Sequence, residues 1–341
     1  MGAFSLPKNG FAIRGGKSIL SYFMFQDESA ILTRIKESPV ITIWGHGLPD
    51  EDCYGCQIGL REILRANFPD KKVYAVGTGV PRLFKRLAPT DVVSDEEVRE
   101  SFAILVDVSC LRRVEDPRVF TAKSFAKFDH HMPNPEEYFD DLMIVEPKRV
   151  SCGELIAEFA FRNHLKVPKL AAEALYSGIC TDSGRFEFYG TNADTFRVVA
   201  KLFDCGVVPD TLLSIVFQEE AKVVHFRSYI LEHSKVEGKV AYCRLTKEDY
   251  LPFGLTFEEA SGLATVLGAL KTEFYVLFTA DLEGEVRVEM RSHAPYAVQP
   301  TAMEFGGGGH LYAAGCSIHK GDENGYDSII RALNAIEPSE D

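Results

Sequence analysis

The chain has 341 residues, enough for two domains at roughly 150 residues each, and carries 37 Lys and Arg against 50 Asp and Glu, a formal net charge of −13. That balance argues against a long duplex nucleic acid as partner, because duplex affinity comes largely from Lys and Arg displacing condensed counterions. Hydrophobic content of 46% with 26% charged residues suits a folded globular protein, and no stretch approaches the roughly 18 apolar residues of a membrane-spanning helix.

In chain order, the apolar run Ser21 to Phe25 is too short for a signal-peptide core, and the start Met1-Gly2-Ala3-Phe4-Ser5-Leu6 has Leu where myristoylation wants Ser or Thr. A cytoplasmic address without a membrane partner is expected. From Val40 to Asp182, short β-branched or aromatic runs alternate with stretches of helical period, which reads as βαβ units: a parallel sheet with helices on both faces. Strands are predicted over Val40–Trp44, Lys72–Val76, Phe102–Val108, Lys127–His130 and Leu142–Val145. Helices are predicted over Gly55–Asn67, Cys152–His164 and Pro168–Cys180, the last opening on a proline whose missing N–H costs nothing there. Helical period continues from Thr195 to Cys205 and, after an N-cap at Asp210, to about Val236, a segment that reads as a connector. Beyond Glu237-Gly238, strands Val240–Leu245, Glu273–Thr279 and Glu285–Arg291 accompany a helix near Phe257–Leu270, a second, smaller α/β or α+β domain. The fold class is α/β, divided into 1–205, a helical linker 206–236, and 237–341, with a frayed acidic tail from Glu337 to Asp341.

Eight scattered cysteines indicate reduced thiols rather than a disulfide scaffold. Cys53 and Cys56 have C-x-x-C spacing, but no second pair completes a structural zinc site, so both are expected to be packing thiols.

The chemistry gathers at strand ends. Trp44-Gly45-His46-Gly47-Leu48-Pro49-Asp50-Glu51-Asp52 follows the first strong strand, placing His46, Asp50 and Asp52 on the loop at its C-terminal end, where open parallel sheets bind ligands. Alone, that loop could be a turn with solvated carboxylates. Three further loops change the balance: the apolar run Phe102 to Val106 reaches Asp107, Lys127-Phe128 reaches Asp129-His130-His131, and an apolar helix is followed by Asp182 in a glycine-bounded loop. So many carboxylates at one sheet edge would repel one another or take up protons unless cations neutralised them, and two divalent metals meet that need. Imidazole and carboxylate ligands without thiolate suit Mn²⁺ or Mg²⁺ over structural zinc, and the histidines tilt the choice to Mn²⁺.

These elements resemble the DHH phosphoesterase family. The resemblance rests on His46-x-x-Pro49-Asp50-x-Asp52, Asp107, the run Asp129-His130-His131 and Asp182, in the family's order. Arg291-Ser292, Phe305 followed by Gly306-Gly307-Gly308-Gly309-His310, and Ala313-Ala314-Gly315 resemble the family's DHHA1 substrate-binding domain, and the whole is most similar to its NrnA type, nanoRNases that also dephosphorylate 3′-phosphoadenosine 5′-phosphate (pAp). The resemblance implies that His46 and Asp50 hold one metal, that Asp52, His130 and Asp182 hold the other, and that Asp107 bridges them, four carboxylates against two dications. It further implies that His131 faces the substrate while Asp129 orients a histidine, and that Arg291, Ser292, Gly306 to Gly309 and His310 grip a nucleotide phosphate. The chain departs from the family pattern at Leu48, Cys53 and Cys56, none of them a ligand in this scheme.

The implied activity is hydrolysis of short oligonucleotides, pApA-type dinucleotides or pAp, with in-line attack on phosphorus and two metals stabilising the attacking and leaving oxygens. Cyclic dinucleotides or pyrophosphate are alternative substrates of the same centre, and a catalytically silent nucleotide sensor is the alternative class. A homodimer is compatible with the sequence.

Overall fold

The computed structural model describes residues 28–47, 49–77, 88–114, 116–132, 142–210, 212, 214, 218–322 and 324–338. The readings of the N-terminal start, the 21–25 run, Leu48 and the last three residues lie outside these. The chain divides between residues 217 and 218 into two compact units.

The first unit runs α1 (Glu28–Glu37), β1 (Val40–Trp44), α2 (Glu51–Asn67), β2 (Lys72–Val76), α3 (Asp95–Glu100), β3 (Phe102–Val106), β4 (Ser124–Asp129), β5 (Leu142–Val145), α4 (Cys152–Arg162), α5 (Lys169–Asp182) and α6 (Ala193–Asp204). Its five strands form one parallel sheet in the order β2-β1-β3-β4-β5. β3 is buried throughout, and its side chains alternate between two cores. Phe102, Ile104 and Val106 pack with residues of α2, α4 and α5, whereas Ala103 and Leu105 pack with Trp44, Val98 and Val119 on the other face. Two-sided burial explains why the strand shows no polar alternation. The chain passes from β1 outward to β2 and returns to β3 on the other side of β1. Strand order therefore reverses between β1 and β3, which opens a crevice at their C-terminal ends.

Several predicted boundaries move by a few residues, with consequences for the site. α2 begins at Glu51 rather than Gly55, because Asp50 caps it by accepting the Cys53 N–H at 2.9 Å. Asp52 therefore sits in a helical first turn and not on a loop. Asp182 is the last residue of α5 instead of lying beyond it, β3 stops at Val106, and β4 ends at Asp129, leaving His130 outside the strand.

The second unit opens on α7 (Ala221–Glu232) and continues through β6 (Lys235–Glu237), β7 (Val240–Leu245), α8 (Lys247–Tyr250), α9 (Phe257–Ser261), β8 (Phe274–Ala280), β9 (Val286–Ser292), α10 (Gln299–Glu304), β10 (Gly308–His310), β11 (Ala313–Ile318) and α11 (Gly325–Asn334). The six-stranded sheet has the order β10-β11-β9-β8-β7-β6, parallel between β7 and β8 and antiparallel elsewhere. β8 again feeds two cores: Phe274, Val276 and Phe278 face Ile329, Ile330 and Leu333 of α11, while Tyr275 and Leu277 join Phe226 and Ile230 of α7. The helical segment read as a connector is thus built into this unit, and its predicted last residues, Lys235 and Val236, lie instead in β6, paired with β7. The helix expected to Leu270 is broken after Ser261, where Gly262 caps it, and resumes as a 3₁₀ turn over Ala264–Ala269.

Candidate functional site

Asp107 is the centre of the cluster. Its N–H continues the sheet by donating to the Phe128 carbonyl at 2.9 Å, but its own backbone then turns into the left-handed region, with φ of 56°. A non-glycine residue held there is costly, of order 1–3 kcal/mol, and such strain concentrates at functional sites. The turn aims a carboxylate that is only 2% exposed at three imidazoles. Oδ2 lies 3.6 Å from His46 Nε2, and Oδ1 lies 3.4 Å from His130 Nε2 and 3.5 Å from His131 Nδ1.

The neighbours are fixed in turn. His46 Nδ1 meets the Gly47 carbonyl at 2.9 Å, which directs Nε2 to Asp107 and, at 3.9 Å, to the exposed Asp50. His130 Nδ1 meets the Arg149 carbonyl at 3.2 Å, directing its Nε2 to Asp107 and to Asp182 Oδ2 at 3.4 Å. The fully buried Asp52 accepts from the first amides of α4, Cys152 N–H at 2.8 Å and Gly153 N–H at 3.0 Å, and shares a cluster with Asp107 and His130. α5 presses on the same carboxylate: a Cβ at Gly178 would lie 2.6 Å from Asp52 Oδ1 and 2.8 Å from its Cα, so only glycine fits. His131 Nδ1 pairs with Asp129 Oδ1 at 2.8 Å, and Lys127 Nζ holds the other oxygen of Asp129 at 2.8 Å.

The titration behaviour follows from this crowding. Burial and the nearby Asp107 push the Asp52 carboxyl up to about 7, and burial with Asp52 and Asp50 raises Asp182 well above the carboxylate range. Burial would raise Asp107 too, but the His130 and His46 imidazoles beside it hold it well below its ordinary value. Burial works against charged His130 and His46, yet the Asp107 carboxylate outweighs it and raises both. The raised Asp52 and Asp182 carboxyls reflect negative charge crowded into one buried place, which positive charge beside them would relieve. The residues fit a divalent ion: buried Asp107 Oδ1 accepts no hydrogen bond among the described residues, and sets of three ligand atoms, Asp52–Asp107–His130 among them, lie within 4.8 Å of one another.

The first unit thus gathers all eight sequence candidates, His46, Asp50, Asp52, Asp107, Asp129, His130, His131 and Asp182. The other set lies in the second unit. Arg291 and His310 both stand opposite Ala313, on the two sides of β11, which places them in one row across the sheet. Gly306 to Gly309, expected as a turn or a ligand-facing backbone, is in part a strand, since Gly308 and Gly309 pair with Gly315 and Ala314. At Gly309 φ is 136° and a Cβ would meet the Ala313 carbonyl at 2.6 Å. Arg291 Nη1 is paired with Glu289 at 3.1 Å, and the Ser292 hydroxyl donates to the Tyr296 carbonyl.

Three supports were missed in the sequence: Lys127 beneath Asp129, the α4 amides beneath Asp52, and Cys53, whose sulfur accepts the His46 N–H at 3.3 Å. A lysine inside an otherwise apolar strand, and Ser151 three residues before Glu154 as a helix start, were the available signals for the first two. Cys53 and Cys56 do not act as a pair facing one partner. Cys53 lies against Gly45 and His46, whereas Cys56 points to Asp52 Oδ1 at 3.8 Å.

Residues 40–179 match the DHH family, N-terminal domain, and residues 237–337 match the DHHA1 domain. A protein of Streptococcus mutans named a probable bifunctional oligoribonuclease and PAP phosphatase NrnA is 32% identical over 300 residues, 86% of this chain and 94% of the relative. The bifunctional oligoribonuclease and PAP phosphatase NrnA of Bacillus subtilis is 32% identical over 313 residues, 91% of this chain and 98% of the relative. Among solved structures, an exopolyphosphatase-related protein from Bacteroides fragilis shares the fold, with a TM-score of 0.78 at 22% identity over 90% of this chain and 95% of that one. No helix among the described residues is long and apolar enough to cross a membrane. A parallel sheet with its acid and imidazole cluster at the β1–β3 switch point, a DHHA1 unit after it, and near-full-length similarity to two such relatives make this chain a member of the DHH–DHHA1 family.

Proposed function

We propose that this chain is a metal-dependent phosphoesterase that hydrolyses short oligoribonucleotides and pAp, the activities named for its relatives. The observation that carries the reading is the buried Asp107 carboxylate, with three imidazoles within 3.6 Å of its oxygens. In this reading His46 and Asp50 would hold one divalent ion, Asp52, His130 and Asp182 would hold a second, and Asp107 would serve both, with Mn²⁺ favoured over Mg²⁺ for the imidazole content. Such ions supply Lewis acidity and charge neutralisation to a phosphate ester. The chain's own groups do the rest. Asp52 is kept in place by the α4 amides and Gly178, and the crevice positions the scissile phosphorus. Asp129, anchored by Lys127, orients His131 through Nδ1, so that Nε2 serves as phosphate ligand or as proton donor to the leaving oxygen. As the bond from water oxygen to phosphorus forms and that water gives up a proton to solvent, the bond from phosphorus to the leaving oxygen breaks, and that oxygen takes a proton from His131 where it acts as donor, or otherwise from solvent.

The second unit supplies Arg291, His310 and the glycine backbone to a further phosphate. With a net charge of −13, a grip confined to these positions favours substrates of a few nucleotides over long polymers. The purified chain with Mn²⁺, assayed by product chromatography against pAp, pApA, a five-residue RNA and a cyclic dinucleotide, tests this. The expected products are AMP with phosphate from pAp, and mononucleotides from pApA and RNA. Opening of the cyclic dinucleotide with pAp and RNA left intact would move the chain to that substrate class, and binding of all four without turnover would make it a sensor.

A further inference from the structure

Among this unit's buried cysteines, Cys53 stands apart by its surroundings. Its sulfur, one imidazole nitrogen of His46 and one carboxylate oxygen of Asp107 lie within 4.8 Å of one another, all three residues being buried. Two ligand atoms on one tetrahedral zinc, at bond lengths of about 2.0 and 2.3 Å, stand roughly 3.5 Å apart, so a small inward adjustment closes the set. The sulfur is also placed. The His46 N–H donates to it at 3.3 Å, and the missing side chain of Gly45 makes room, since a Cβ there would lie 2.3 Å from the sulfur. Asp107, more than nine-tenths buried, turns Oδ2 to His46 at 3.6 Å, while Oδ1, which accepts no hydrogen bond among the described residues, faces His130 and His131. The other thiols near the site are engaged elsewhere: Cys56 Sγ points to Asp52 Oδ1 at 3.8 Å and Cys152 Sγ to the Phe128 carbonyl at 3.3 Å.

We propose that Cys53 is a metal-selecting ligand at the His46–Asp107 end of the centre, giving that position preference for a thiophilic divalent ion such as Zn²⁺ or Co²⁺ over Mn²⁺. The inference rests on the reading of the cluster as a metal centre and replaces the role of packing thiol expected for Cys53. Thiolate, imidazole and carboxylate together form a borderline-soft donor set. Oxygen and imidazole alone do not discriminate against Mn²⁺ in this way.

The test is anaerobic titration of the metal-free, full-length chain with Co²⁺, following the near-ultraviolet sulfur-to-cobalt charge-transfer absorption, the visible d–d bands and the bound metal content. Wild type and Cys56→Ser should both develop the sulfur band. Cys53→Ser, which keeps the side-chain size, should bind Co²⁺ with d–d bands but no sulfur band, and should lose roughly tenfold or more in Zn²⁺ affinity with Mn²⁺ affinity little changed. A sulfur band that survives in Cys53→Ser, or Co²⁺-loaded wild type with d–d bands alone, overturns the assignment while leaving the metal centre intact. Wild type that binds no Co²⁺ at all overturns the metal-centre reading together with it.

Discussion

The two units present their candidate residues in opposite ways. In the first, His46, Asp52, Asp107, Asp129 and His130 are all buried, and backbone features that tolerate no freedom hold them: a left-handed Asp107, amides of α4 under Asp52, and the Gly178 contact. In the second, Gly306 to Gly309 and His310 are exposed, and Arg291 is partly exposed and paired with an acid two residues away. Charges placed in a low-dielectric crevice interact strongly and lose much when displaced, whereas exposed charges are screened and contribute modestly. The first arrangement suits bond breaking and the second suits grip. Substitutions in the two units should therefore differ in both size and kind.

The largest effect is expected for Asp107→Asn. Asparagine tolerates the left-handed backbone, so the fold should persist while the central charge is lost. A fall of about three orders of magnitude or more in kcat/KM, or ~4 kcal/mol, is expected, together with loss of bound metal. Retained hydrolysis in protein with unchanged circular dichroism would break the contrast between the two units.

Gly178→Ala comes next and reaches the same centre through packing alone. A Cβ 2.8 Å from the Asp52 Cα forces α2 and α5 apart. The expected cost is about 1–3 kcal/mol in stability by thermal or urea unfolding, with a drop of about 100-fold in kcat from a misplaced Asp52. Normal activity at reduced stability would show that the position of Asp52 is not critical.

How far the sequence discloses this arrangement depends on where the information lies. Val40–Trp44, Lys72–Val76, Leu142–Val145 and Val240–Leu245 are legible as strands to the residue because β-branched apolar runs mark buried strands locally. β10 and β11 are hidden, since Gly308, Gly309, Ala313, Ala314 and Gly315 have low strand propensity and pair only because the sheet edge of β9 receives them. α11 is hidden behind a glycine start. At the site, carboxylates and imidazoles at strand ends reveal the kind of chemistry. The bond from the Cys152 amide to Asp52 spans 100 positions, and the turn of Cys53 toward Gly45 depends on how α2 packs against β1. Neither leaves a local trace.

In the second unit, Arg291→Ala should raise KM on pApA or five-residue RNA by roughly tenfold to hundredfold, the worth of a charge-assisted phosphate contact. A minimal phosphoester that reaches only the metal centre should change less, because the lost binding is remote from the reacting atoms. Equal weakening of both substrates would remove the division between grip and chemistry.

The smallest effect sharpens that division most. Arg291 Nη1 is bonded to Glu289 at 3.1 Å, and the two side chains are 25% and 27% exposed. A phosphate taking the guanidinium must compete with that carboxylate and approach its charge. Glu289→Gln keeps the shape of the side chain while removing the charge, so it should lower KM for short oligonucleotides and leave kcat unchanged, the opposite direction to Arg291→Ala. A half-screened pair contributes 0.2–1 kcal/mol in typical measurements, which sets the expected gain at roughly 1.5- to 5-fold. The gain should shrink as salt rises from low ionic strength toward 0.15 M, where the Debye length contracts to about 8 Å. A KM that rises in Glu289→Gln would instead mean that the carboxylate positions Arg291 for the phosphate, making the ion pair part of the grip.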